Sequence, residues 1–200
     1  MKQTRLVLAL ALLPATLFWE HMASAQALPT ASQSLQLSAF GGVSGVFTGF
    51  KGGKNLSITA GGDLGLPVWH GLRPAIEVRG TYPLDRGLTV GQKDVLAGLK
   101  VNFLLGHRIH PYGDFLFGRG EMDYRLGVIF DGWIYGVTTT NIYSGGGGFD
   151  YDLTDKLSFK LDGQFQHWGG PTPTASGHVY STVGTAGIVY RFNLNRRGIH

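Results

Sequence analysis

From Leu35 to Phe192 the chain repeats one pattern: apolar side chains fall on every second residue, with glycine, hydroxyl or charged residues between them. A period of two marks a strand whose two faces meet unlike surroundings. The first segment sets Leu35, Leu37, Ala39, Gly41 and Val43 against Gln36, Ser38, Phe40 and Gly42. The second sets Ile58, Ala60, Gly62, Leu64 and Leu66 against Thr59, Gly61, Asp63 and Gly65. Ile76, Val78, Gly80 and Tyr82 then oppose Glu77, Arg79 and Thr81, and Val95 to Phe103 alternates about Gly98, Lys100 and Asn102. A fifth, less regular segment has Gly113, Phe115 and Phe117 against Tyr112, Asp114 and Leu116. The sixth alternates Tyr143, Gly145, Gly147, Phe149 and Tyr151 with Ser144, Gly146, Gly148 and Asp150. The seventh sets Leu157, Phe159, Leu161 and Phe165 against Ser158, Lys160, Asp162, Gln164 and Gln166. The last sets Ala186, Ile188, Tyr190 and Phe192 against Thr185, Gly187, Val189 and Arg191. The pattern predicts eight strands and an all-β fold, with no helical period of comparable length after the N-terminal apolar run.

The connections alternate. Long polar or glycine-rich links follow strands one, three, five and seven, and short ones ("WHGLRP", "GHRIHP", "LTDK") follow strands two, four and six. Long on one side and short on the other is how outer-membrane barrels arrange extracellular loops and periplasmic turns. The link after strand five differs from the others. It holds Asp131-Gly132, a two-residue hairpin signal, between apolar runs that include Phe130, Trp133 and Tyr135. A strand from Pro111 to Phe130 would be about 65 Å long and, tilted about 45°, would rise about 46 Å. A hydrocarbon core is about 30 Å thick, so the hairpin of residues 111–151 is expected to project beyond it.

The N-terminus reads as an export signal. Lys2 and Arg5 precede an apolar run from Leu6 to Phe18, and Ala23-Ser24-Ala25 supplies a cleavage site, so residues 1–25 are expected to be removed. The run holds Pro14 and is too short for a retained membrane helix. Residues 26–33 then form a polar leader, 34–192 the barrel and 193–200 a short periplasmic tail. Cysteine is absent, which excludes a disulfide framework and a lipidated N-terminal cysteine. Only 15% of residues are charged, which is lean for a soluble surface. The net charge of +4 forms no stripe, so nucleic acid is not an expected partner.

Alternation alone does not say which face is wet. A soluble lipocalin-like periplasmic barrel turns its apolar face inward; a membrane barrel does the reverse. The polar face carries Asp63, Glu77, Asp114 and Asp162 against Arg79, Lys100, Lys160 and Arg191. Balanced signs interspersed with small residues suit a narrow lumen, where an unpaired charge is costly. Aromatics gather near strand ends as an interfacial girdle requires: Trp69, Tyr151, Tyr190 and Phe192 on the short-turn side, Tyr82, Tyr143 and Trp168 towards the long loops. The fold expected is an eight-stranded antiparallel up-and-down transmembrane β-barrel.

Near the end of the chain, "TAGIVYRF" has a polar residue, a glycine and two aromatics spaced by two: Thr185, Gly187, Tyr190 and Phe192. This resembles the closing strand of bacterial outer-membrane barrels, and residues 34–192 resemble the OmpA-like family of small eight-stranded barrels. The resemblance implies that this strand is the assembly signal offered to the barrel-assembly machinery. It also implies a monomer in outer-membrane lipid and lipopolysaccharide, with a structural or surface-interaction role. "NLNRRGIH" follows the terminal aromatic, too short for a peptidoglycan-binding domain.

Chemistry finds less support. A lipid A-modifying barrel needs a serine, a histidine and an acid together near the rim. Ser176, Ser181, His167 and His178 surround the last long loop, without a carboxylate close in sequence. His107 and His110 share a short turn without a third metal ligand at fitting spacing. "SGGGGFD" lies within a strand, and no helix follows to bind a phosphate. No catalytic residue, metal or cofactor is expected. A surface ligand or adhesion partner for the projecting hairpin is.

Overall fold

The computed structural model describes residues 35–50, 53–87, 90–105, 108–170, 174 and 177–192, less the side chains of Arg125, Leu126, Val128 and Phe130. The expected signal peptide, leader and tail lie outside the described residues. Eight strands follow in chain order: β1 (Gln36–Phe47), β2 (Lys54–Gly65), β3 (Leu72–Asp85), β4 (Val90–Phe103), β5 (Ile109–Phe130), β6 (Trp133–Asp152), β7 (Leu157–Gly169) and β8 (His178–Phe192). Each pairs antiparallel with its neighbour, and β8 closes on β1.

The register fixes the shape. Following paired residues from Leu37 leads through Leu64, Ile76, Leu99, Phe115, Gly145, Phe165 and Thr182 to Phe47. The path returns to β1 ten residues from its start, which is the shear of the barrel. With residues about 3.3 Å apart along a strand and strands about 4.7 Å apart, that shear over eight strands tilts them by about 41°. Closure at this tilt leaves an interior that side chains just fill.

The two faces sort as a membrane barrel requires. Leu37, Ile58, Val78, Leu99, Phe115, Phe165 and Ile188 point outward and are exposed. Asp63, Glu77, Lys100, Ser144, Lys160 and Thr185 are buried inside. Both chain ends of the barrel, Gln36 and Phe192, lie at one rim with the connections 66–71, 104–108 and 153–156. We call this the terminal end. Connections 48–53, 86–89, 131–132 and 170–177 lie at the other, the hairpin end.

The expected alternation of loop lengths is not what distinguishes the ends. Residues read as long links enter the ladder, which leaves four residues between β3 and β4 and two between β5 and β6. A polar or glycine-rich stretch still pairs where the neighbouring strand continues, because the backbone groups bond whatever the side chain. The asymmetry lies instead in β5 and β6, of 22 and 20 residues, which outrun the other strands. Strand five begins at Ile109, two residues before the expected start.

Two inward glycines make room for lumen rings. A Cβ on Gly61 would lie 2.6 Å from Cζ of Phe40, and one on Gly120 would lie 2.5 Å from the Trp168 ring. A side chain at either place would occupy the ring's volume.

Candidate functional site

The lumen is layered. At the terminal rim Asp152 accepts from His110 Nε2 at 2.8 Å and Ser158 Oγ at 2.7 Å, and its carboxylate pairs with Arg191 at 2.7 Å. Arg73 bonds Gln36 beside them. The middle layer holds three cations. Arg79 reaches across the barrel, pairing with Glu77 on its own strand, with Asp162 at 2.7 Å and with Asp114 at 3.4 Å. Lys100 lies 3.2 Å from Asp63 and 3.5 Å from Glu77. Lys160 is held differently: its ammonium sits 3.9 Å from Asp150, 4.1 Å from the Tyr112 ring centre and 4.6 Å from that of Phe40.

Tyr112 joins these parts. Its ring lies between Lys100 and Lys160, each 4.1 Å from the centre, while its hydroxyl donates to Asp162 at 2.7 Å. Such a ring attracts both ammoniums by its quadrupole and spaces two like charges apart. A hydroxyl belt crosses from β8 to β3 through Thr185, Ser44, Thr59 and Thr81, with contacts of 2.8, 2.6 and 3.2 Å. Gln164 bonds both oxygens of Asp114 and one of Asp162, and accepts from Ser144.

Towards the hairpin end the lumen turns apolar. Leu96, Leu116, Met122, Tyr124, Ile142, Trp168 and Val179 form a buried cluster, with Phe50 and Tyr135 packed against it. Trp168, expected in the outer girdle, is fully buried here; its indole nitrogen donates to Ser181 at 2.8 Å and Gln166 at 3.0 Å. It lies one residue out of phase with the outward-facing His167, so the strand's alternation turns it inward. The lumen is therefore closed twice, by ions and then by an apolar plug.

The residues singled out in the sequence distribute as follows. Asp63, Glu77, Arg79, Lys100, Asp114, Lys160 and Asp162 meet in the middle layer; Arg191 lies apart, at the rim. The lumen's acidic side chains also include Asp94, Asp150 and Asp152, and Arg73 adds a cation. The signs therefore do not balance among the described residues: seven carboxylates face five basic side chains. Asp150 was legible from its place on the polar face. Asp94 is in phase with Gly98, Lys100 and Asn102, so it was legible by carrying that alternation back past Leu96, an apolar residue in the polar phase. Thr185 and Gly187 face inward on β8, while Tyr190 and Phe192 face outward in an edge contact with centroids 5.0 Å apart.

Ser181 and His167 stand on opposite faces of the wall, Ser181 in the lumen and His167 outside against Tyr180 and His178. They cannot form a nucleophile and base. Ser176 and His107 lie outside the described residues. His110 is bonded to Asp152, and no group of three metal-ligating side chains occurs among the described residues. Gly146 within "SGGGGFD" faces inward beneath the Gln164 amide and forms part of β6, so no phosphate cradle is present.

Outside the wall the hairpin is the prominent feature. Asp131 and Gly132 both have positive φ, 49° and 79°, which matches the twist of the flanking strands. Phe130 pairs with Trp133 across the turn, though its side chain and that of Val128 lie outside the described residues. Ile129, Trp133 and Ile134 are 76%, 72% and 77% exposed. Tyr135 instead turns back onto the plug.

These features define a closed eight-stranded antiparallel β-barrel with an apolar exterior and a polar interior, the fold of transmembrane barrels. The chain matches no protein-family model and no curated protein. Among solved structures it is similar to Neisserial surface protein A at a TM-score of 0.51 and 14% identity, over 79% of this chain and 97% of that one. OprG, an outer membrane protein of Pseudomonas aeruginosa, aligns with TM-score 0.47 and 13% identity over 80% and 97% of the two chains. Ail, the attachment invasion locus protein of Yersinia pestis, gives 0.47 and 12% over 80% and 99%.

Proposed function

We propose that the protein is a non-enzymatic outer-membrane barrel of the OmpA-like family, exported with loss of residues 1–25, that presents the β5–β6 hairpin at the cell surface. The hairpin end then faces the medium and the terminal end the periplasm. The observation that carries this reading is the hairpin tip, where Ile129, Trp133 and Ile134 are exposed together. Outward charge begins on β5 at Arg119, paired with Asn141, and the eight residues of β6 from there to Trp133 rise about 20 Å at the barrel's tilt, a break in register between Asp123 and Val128 taking up the extra length of β5. The tip therefore stands about 20 Å beyond the level at which outward charge begins, outside the hydrocarbon band. A large apolar group held in water has affinity for a surface that can bury it. Three pairs beyond the break in register, Val128 with Tyr135, Ile129 with Ile134 and Phe130 with Trp133, hold the turn together.

The test is adhesion of cells displaying the protein to protein-coated and phospholipid-coated beads. A variant with Ile129→Ser, Trp133→Ser and Ile134→Ser is expected to lose adhesion while its heat-dependent electrophoretic mobility is unchanged. Equal adhesion by this variant would overturn the surface-interaction role.

A further inference from the structure

Outside the lumen, one furrow in the wall combines an apolar floor with a charged lip. It runs over β2 to β5, has a volume of about 510 Å³, and is lined by Ile58, Ala60, Gly80, Tyr82 and Val95. Gly80 forms its floor because it has no side chain between Ala60 and Val95, its paired neighbours. At the hairpin-end lip stand Lys93, Arg119 and Glu121, with Thr139 beside them. Arg119 pairs in register with Val95 and Asn141, and Glu121 with Lys93 and Thr139. Arg119 has no ion pair among the described residues. Lys93 contacts Glu121 at 2.9 Å, both partly exposed, a pairing that contributes little and is readily exchanged. Two other furrows on the outer wall, of about 460 and 550 Å³, have no outward-pointing cation.

The lip stands above the floor. Each step from β3 towards β5 along the hydrogen bonds climbs about 3 Å at the barrel's tilt, so Arg119 lies about 6 Å nearer the hairpin end than Gly80. Lys93 and Arg119 also fall where outward residues change from apolar to polar: below them come Val95 on β4 and Phe117 on β5. Cations at that level meet headgroups, and the furrow beneath meets acyl chains. Thr139 and Asn141 can donate to phosphate or sugar oxygens beside the two cations, and Glu121 can accept from a sugar hydroxyl.

We propose that this furrow is a binding site for a phosphorylated, acylated sugar lipid of the outer leaflet, its phosphate on Lys93 and Arg119 and one acyl chain over Gly80. The proposal rests on the outer-membrane reading above. The hydroxyl and amide groups favour a sugar headgroup over a glycerophospholipid.

The test uses the full-length mature protein refolded in detergent, with native mass spectrometry counting retained lipid. The probes are bis-phosphorylated lipid A, the same lipid dephosphorylated, and phosphatidylglycerol. Preferential retention of one bis-phosphorylated molecule is expected. The double variant K93Q/R119Q is expected to weaken retention about 30-fold, since each cation near a headgroup contributes about one factor of five. Gly80→Leu fills the floor; its Cβ meets only ordinary contacts, 3.5 Å from the Asp94 carbonyl, so the barrel is expected to fold and to lose the lipid. Equal retention of the dephosphorylated lipid or of phosphatidylglycerol, or undiminished retention by both variants, would overturn the site. A protein whose mobility does not change on boiling would instead overturn the membrane-barrel reading beneath it.

Discussion

Arg79 is the residue on which the lumen's electrostatics turn. It is 3% exposed and pairs with Glu77, Asp114 and Asp162, three carboxylates contributed by three different strands. Removing the cation from such a cluster strands the acids in a poorly hydrated space, which costs about 3–5 kcal/mol for a buried pair. Arg79→Ala is therefore expected to lower the unfolding free energy, from urea titration in lipid vesicles, by an amount in that range. Lys93→Ala removes a partly exposed partner and is expected to cost no more than about 1 kcal/mol. If the two substitutions proved equal, the ionic layer would not be a stabilising element. Lys160 shows a second device at this scale: among the described residues its ammonium has no hydrogen-bond acceptor, only Asp150 at 3.9 Å, and it rests on the faces of Tyr112 and Phe40. Aromatic faces let the lumen hold a cation where a further carboxylate would add to an acidic surplus.

At the scale of the strand, glycine position decides what the wall can tolerate. A Cβ on Gly120 would collide with the Trp168 ring, whereas one on Gly41 would meet nothing within 4 Å. Gly120→Val is expected to destabilise the barrel by about 1–3 kcal/mol through overpacking. Gly41→Val, on the outer face, is expected to change stability by less than about 0.5 kcal/mol. Comparing their urea midpoints checks both. The strands themselves were legible in the chain because alternation survives wherever one face is lipid-like and the other polar, as along Leu157–Gln166. It blurs where the lumen turns apolar: Leu96 and Leu116 sit between outward apolar neighbours, so neither face looks wet. That is why the plug escapes the pattern; Trp168 keeps the inward phase of Gln164 and Gln166, and only its aromatic character suggests the girdle. Loop lengths failed for a related reason: residues 84–93 look like a loop by composition, yet Asp85 pairs with Leu56 of β2 and Val90 to Lys93 pair with β5 because those neighbours continue. The hairpin was legible from Asp131-Gly132 alone, since few residues other than glycine, asparagine and aspartate suit the positive φ that this turn requires.

For the whole molecule, a shear of ten residues and an inverted distribution of side chains are one fact seen twice. The tilt sets a lumen just wide enough for Arg79 to reach Asp162 across it, and that ionic filling makes sense only if the apolar exterior faces lipid. A cysteine-free chain is then held by a ladder with no free edge, which cannot open one strand at a time without exposing unpaired backbone. The measurement that tests this most directly is the electrophoretic mobility of the membrane-fraction protein, boiled against unboiled in mild detergent. A closed barrel stays folded until heated, so the account predicts a band that remains with the outer membrane and shifts on boiling. A protein recovered in the soluble periplasmic fraction, with one mobility under both conditions, would contradict it.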